Sequence, residues 1–262
     1  MRRLLLGCLL AACALKGVAL AANGTKGVQV VADEAHQRVD ITIDGKPFTS
    51  YVWPSVLKKP VLYPLIASDG IDLVRGFPLA PRPGERVDHP HHAGIWFNYG
   101  NVNGFDFWNN SDAIKPADRD KMGSIHFKKI VSTKSGHDSG ELVVESIWTT
   151  GKGQDILEQK TRYIFSQQKD ERIIDQVTTL HALDRVVFND DKEGLLGMRV
   201  ARWLESADEK GGTFTDANGR TTKVPAPDPA LSRAWRARNL TVSPSASLLA
   251  AVKPRTWPHT AP

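Results

Sequence analysis

The chain has 262 residues, 41% hydrophobic and 24% charged, enough apolar material to bury one sizeable core without help from a metal or a disulfide. That balance excludes a disordered chain and a collagen-like repeat. The formal net charge of +5 sits at the two ends: Arg2, Arg3 and Lys16 at one, and Arg233, Arg236, Arg238, Lys253 and Arg255 at the other, where no acid follows Asp228. Between them 26 basic residues meet 29 acidic ones, so the body is slightly acidic, which argues against a nucleic-acid partner.

Two arginines, an apolar run from Leu4 to Leu15 and Ala19-Leu20-Ala21 read as the basic, hydrophobic and small-residue parts of an export signal over residues 1–21. The expected location is periplasmic or extracellular. A competing reading takes Leu10-Ala11-Ala12-Cys13 as a lipobox, which would leave Cys13 as a lipid anchor. Cys8 and Cys13 are the only cysteines, so the body has neither a disulfide nor a thiolate metal site in prospect. The apolar run is broken by Lys16 and falls short of the length that crosses a bilayer of roughly 30 Å.

From Val28 onward short alternating runs dominate. Val39-Asp40-Ile41-Thr42-Ile43, then Asp44-Gly45, then Phe48 to Trp53, predict a hairpin. Further strands are expected at Val61 to Ile66, Ile125 to Val131, Glu141 to Thr149, Lys160 to Phe165, Ile173 to Leu180 and Leu195 to Leu204. No stretch keeps a helical apolar period over three turns, so the expected fold is all-β, an antiparallel β-sandwich forming a single domain over residues 22–223. Pro78, Pro81, Pro83 and Pro90 make the segment from Phe77 to Pro90 a shaped surface loop. After about Val224 alternation and acids both vanish. Residues 224–262 are expected to be a disordered tail or the product of a shifted reading frame.

That proline loop leads into Asp88-His89-Pro90-His91-His92, which holds three of the eight histidines. In an extended chain His89 and His91 would share a face and His92 would take the other. Imidazoles at this spacing suit proton transfer near neutral pH, or a divalent metal on His89 and His91 completed by a carboxylate, the one cofactor the pattern suggests. The blander alternative is that the rings only satisfy backbone groups in a tight corner. Asp88 stands beside them.

Asn101 to Trp108 combines amides and aromatics, and Asn103, Trp96 and Trp108 suit a sugar: flat rings stack on a pyranose while polar groups fix its hydroxyls. Two core tryptophans are the competing reading. Phe188 to Gly194 brings Asp190 and Glu193, either of which can serve as the carboxylate opposite a histidine, and Arg199 can orient that carboxylate or grip an anionic or keto substrate. No Walker loop, dinucleotide fingerprint or nucleophile elbow is present.

Lys59-Pro60-Val61-Leu62-Tyr63-Pro64-Leu65, Arg75-Gly76-Phe77-Pro78, Pro83-Gly84-Glu85, Asp88 to His92 and Gly94-Ile95-Trp96-Phe97 together resemble the bacterial DUF6807 family, often labelled "methane oxygenase PmoA". Val102 to Trp108, Asp190 with Lys192-Glu193-Gly194, and Gly197 to Ala201 fit it too, so the likeness spans roughly residues 28 to 205. The chain departs from that pattern at Ala93, where Arg is common, and at Asp191, where Thr is common. Family members also continue with further strands that the tail does not reproduce. The label implies a membrane-embedded oxygenase subunit of apolar helices, which this composition contradicts. The family's usual company is sugar-oxidising and sugar-cleaving proteins, and supersandwich folds of this kind host aldose epimerases with paired His and Glu. The resemblance therefore implies a small-molecule or oligosaccharide substrate and epimerisation, elimination or hydrolysis by His89, His91 or His92 with Glu193 or Asp190. A metal-dependent oxygenase or hydrolase, and a non-catalytic sugar-binding module, are the rival expectations.

Overall fold

A computed structural model describes residues 26–205 and, beyond them, 214–215, 219, 221–222, 240–242 and 247–252. The export segment with Cys8 and Cys13 lies outside the described residues, as does most of 224–262. Among the described residues no helix is long and apolar enough to cross a membrane.

The structure is an antiparallel β-sandwich. Its strands are β1 (Val28–Asp33), β2 (Arg38–Ile43), β3 (Lys46–Val52), β4 (Val61–Leu65), β5 (Ile95–Tyr99), β6 (Gly123–Lys134), β7 (Ser139–Thr150), β8 (Asp155–Gln168), β9 (Glu171–Ala182), β10 (Val186–Phe188), β11 (Gly194–Met198), β12 (Phe214–Thr215), β13 (Thr221–Thr222), β14 (Leu240–Val242) and β15 (Ser247–Val252). One sheet has the order β1-β2-β3-β4-β5-β11 and the other β15-β9-β8-β7-β6, with β10-β14 and β12-β13 as small separate pairs. Within the segment 224–262, the described backbone is that of β14 beside β10 and β15 beside β9.

The hairpin expected at Asp44-Gly45 forms between β2 and β3. Both turn residues take positive φ, 51° and 74°, the left-handed geometry that matches the twist of the flanking strands. Alternation then places Val39, Ile41 and Ile43 inward. They join Phe48, Tyr51 and Leu62 of the first sheet to Leu142, Val144, Tyr163 and Phe165 of the second in one buried cluster. A second cluster sets Phe97 and Tyr99 of β5 against Ile125, Trp148, Leu157 and Leu180. Inward polar side chains run along the second sheet, where Trp148 Nε1 donates to Gln159, Gln159 to Thr161, and Thr161 meets Thr178. Each finds a partner, as burial demands.

The same alternation turns Val61 and Trp96 to the opposite face of the first sheet from Leu62 and Phe97. There they form a third cluster with Trp108, covered by Leu57, Tyr63 and Leu79. This outer face of the β4–β5–β11 region carries the histidines.

One strand is shorter than the sequence predicts. The alternation from Leu195 to Leu204 continues, but β11 stops at Met198 because the chain changes partners. Arg199 N–H donates to Gly94 C=O, Val200 bridges to Val74, Ala201 N–H donates to Leu73 C=O, and Arg202–Leu204 close a turn of 3-10 helix. This switch swings Arg199 away from the ladder toward Asp88.

Candidate functional site

The segment from His89 to His92 is a turn, so the face assignment expected of an extended chain does not apply. His92 N–H donates to His89 C=O at 2.9 Å, Pro90 occupies a corner position, and His89 takes φ 45°. A left-handed residue ahead of a proline is uncommon and must be held by its surroundings. The turn gathers all three imidazoles: the His89 and His92 rings stack 5.1 Å apart, and His91 meets them edge-on at 5.6 Å and 4.3 Å.

Two buried cations hold the turn from beneath. Arg75, 1% exposed, donates Nη1 to the carbonyls of Arg86 and Asp88 and to the Asp88 carboxylate, and Nη2 to the carbonyls of His89 and His92. Lys59, 4% exposed, donates Nζ to the His91 carbonyl at 2.7 Å and sits over the Trp96 ring. The carbonyls of the corner thus point inward and are satisfied there. Burial pushes the Lys59 amine down to about 7, against the opposing pull of Asp106. Arg75, too basic to lose its proton, keeps its charge.

Asp88 links these parts. Its Oδ1 accepts from Arg75 at 2.6 Å and from Arg199 at 2.9 Å, and its Oδ2 lies 3.2 Å from Nδ1 of His89. Burial acts to raise its pKa, but Arg199, His89 and Arg75 outweigh that and hold the carboxyl below the usual range. His91 and His92 are driven the other way. Burial, then Lys59 and His89, brings His91 down to about 4, and burial, then His91 and His89, brings His92 down to about 3. Both are neutral at pH 7. His91 Nε2 is buried without a hydrogen-bond partner.

The carboxylate that touches an imidazole is therefore Asp88 rather than Glu193 or Asp190. The β5–β11 register sets Gly194 opposite Tyr99 and Met198 opposite Ile95, so the 190–193 loop lies at the far end of β5 from the histidine turn, about 13 Å of strand rise away. There Glu193 C=O accepts from Gly100 N–H, its side chain lies 3.5 Å from Lys192, and Asp190 and Asp191 act on Tyr99.

Trp96 and Trp108 are 4% and 7% exposed, so neither offers an open face to a sugar. They pack the site instead. Trp96 stacks on His92 at 5.0 Å, and Trp108 Nε1 donates to His92 Nε2 at 3.1 Å. Asn103, at φ 53°, spends its amide on Arg185 C=O and Val187 N–H, bridging to β10. Among the described residues no three His, Cys, Asp or Glu side chains are grouped so as to hold a metal ion, His89 and His91 included.

Lys59 and Arg75 were not singled out as site residues by sequence reasoning. The signal for both was a cation set beside apolar residues at a chain corner, Lys59 between Lys58 and Pro60 and Arg75 between Val74 and Gly76.

No curated protein and no solved structure matches this chain. One family model does, that of a family of unknown function, DUF6807, over residues 38–253. Those residues take in the histidine turn, the two cations that anchor it, both tryptophans and Arg199, and on the extent of that match the chain belongs to the DUF6807 family.

Proposed function

We propose that the histidine turn is the acid–base site of an exported enzyme acting on a small hydroxylated substrate of the carbohydrate or keto-sugar type. The observation that carries this reading is the Asp88–His89 pair, because His89 is half exposed while its carboxylate partner is pinned by two arginines. A carboxylate on Nδ1 fixes the ring's orientation, leaving Nε2 to exchange a proton with substrate. His91 supplies a neutral, buried and unpartnered nitrogen beside it, able to accept from a hydroxyl or donate to a carbonyl. Proton abstraction next to a carbonyl, followed by reprotonation or loss of a β-substituent, is the reaction class these groups suit.

The test is product formation from a panel of sugars and glycosides, read by mass spectrometry, for the parent and for His89→Asn and Asp88→Asn. Turnover in the parent, lost by about 100-fold or more in His89→Asn with the thermal transition kept within a few degrees, is the expected result. Substrate binding with no product from any member of the panel would make the turn a binding site alone.

A further inference from the structure

Glu205 closes a chain of charges that begins at His89. Nδ1 of His89 lies 3.2 Å from Asp88 Oδ2, while Asp88 Oδ1 accepts from Arg75 Nη1 at 2.6 Å and from Arg199 Nη2 at 2.9 Å. The same Nη2 reaches Glu205 Oε1 at 3.4 Å, and Glu205 Oε2 meets Arg86 at 3.3 Å and Arg202 at 3.1 Å. The Glu205 side chain is 10% exposed, so these contacts form where water screens them poorly.

The two oxygens of Asp88 are divided. Oδ1 takes both guanidiniums, and Oδ2 is left to the imidazole. For Arg199 that division is unusual, because a guanidinium favours meeting a carboxylate with two parallel N–H groups, one for each oxygen. Its Nε shares an edge of the guanidinium with Nη2 and is buried without a hydrogen-bond partner. Completing the fork would take Asp88 Oδ2, the oxygen that faces His89. Glu205 draws Nη2 the other way. Arg75 is no rival for Oδ2, since it reaches Asp88 through Nη1 and its Nη2 donates to the carbonyls of His89 and His92.

We infer that Glu205 is a positioning residue for the acid–base pair: it keeps Arg199 to a single-pronged contact with Oδ1 and so reserves Oδ2 for the Nδ1–H of His89. The inference rests on the reading of Asp88 and His89 as that pair and adds the residue that holds them together. Its consequence differs from that of a simple stabilising ion pair. With the Glu205 carboxylate gone, Arg199 takes both oxygens of Asp88, and the damage is repaired by removing the fork of Arg199 rather than made worse.

The experiment is long-range nitrogen–proton NMR of the His89 ring in the full chain, with the imidazole neutral. The parent should show hydrogen on Nδ1 alone, because a carboxylate can only accept. Glu205→Gln should give a mixture of tautomers. Adding Arg199→Gln or Arg199→Lys to Glu205→Gln should restore the single form, since neither replacement carries a fork. Glu205→Asp, which keeps a charge but shortens the side chain, should shift the spectrum in the same direction as Glu205→Gln and serves where that variant fails to fold. With a substrate from the sugar panel, kcat should follow the tautomer, falling ~10-fold or more in Glu205→Gln with KM changed by less than about 2-fold, and recovering in part in the double variants. A ring that keeps its hydrogen on Nδ1 in both Glu205 variants overturns the inference, as does a double variant more disturbed than Glu205→Gln alone. No turnover from any sugar, with the tautomer shift and its repair both present, overturns the acid–base reading and leaves the hold of Glu205 on the pair standing. A parent ring without hydrogen on Nδ1 overturns both.

Discussion

The indole of Trp108 donates to Nε2 of His92 across 3.1 Å, and this contact decides which nitrogen of that imidazole carries the proton. His92 is neutral at pH 7, so an Nε2 that accepts requires the hydrogen on Nδ1. A buried tryptophan thereby sets the tautomer of a site histidine. Replacing Trp108 with Phe removes the donor while keeping most of the apolar area, and should cost about 1 to 3 kcal/mol of stability. Long-range nitrogen–proton NMR of the His92 ring should show Nε2 passing from pure acceptor to a mixture of tautomers. An unchanged spectrum would mean that Trp108 does not control the ring.

Stability should fall on mild acidification. His91 and His92 titrate near 4 and near 3 in the folded chain, below the ordinary 6.5 they regain on unfolding. Between those values the unfolded state binds more protons than the folded one. Their contribution is therefore complete above pH 6.5 and lost progressively as pH drops toward 4. Lys59 acts in a higher window by the same sign. Its folded value is about 7 and its ordinary value 10.5, so its contribution is complete above 10.5 and lost as pH drops toward 7. Denaturant midpoints measured across pH should show both slopes, with Lys59→Met removing the alkaline one and also weakening the acidic one, because its charge helps hold His91 and His92 down, and His91→Gln reducing only the acidic one.

Arg75 should be the most sensitive position of the corner. Its guanidinium satisfies four backbone carbonyls and a carboxylate from a site 1% exposed. Arg75→Met leaves those acceptors without a donor and should cost at least about 3 kcal/mol in urea unfolding. Arg75→Lys should recover little, because three donors on a flexible stem cannot span groups that a planar fork reaches together. Arg199→Gln, partly exposed and sharing its acceptors with other arginines, should cost about 1 kcal/mol or less. Similar losses for Arg75 and Arg199 would show that the turn is held by something other than Arg75.

The elements that the sequence made legible are those written in local chemistry. Asp44-Gly45 between two alternating runs could only close a hairpin, which lies in the first sheet, and the periodicity of β6 to β9 predicted the four strands they supply to the second. The histidine concentration marked the corner. What sequence could not supply was direction. Pro90 and a left-handed His89 turn the rings together, and an extended reading scatters them. The choice of Asp88 over Glu193 depends on which end of β5 each reaches, a matter of long-range register that two carboxylates of equal chemistry do not advertise. The overrun of β11 has a similar origin: Val200 and Ala201 keep the apolar alternation while the chain exchanges its partner from β5 to the 73–75 segment, so the pattern continues and the strand does not.

Gly197 offers the sharpest test of how the outer face is built. It stands opposite Trp96 in the β5–β11 pair, and a Cβ at Gly197 would come within 2.3 Å of the indole. Ordinarily Gly→Ala in a strand stabilises by roughly 0.5 to 1 kcal/mol, since the unfolded chain loses freedom. Here the sign should reverse. Alanine must displace the ring that stacks on His92 and lies under Lys59, and such overpacking costs about 1 to 3 kcal/mol. Trp96→Phe withdraws the clashing part of the indole. The double variant Gly197→Ala/Trp96→Phe should therefore be more stable than the sum of the single losses predicts, by ~1 kcal/mol or more of coupling. Additive losses would mean that the glycine is required by something other than the tryptophan, and the stacking of Trp96 on His92 would then not depend on the missing side chain at position 197.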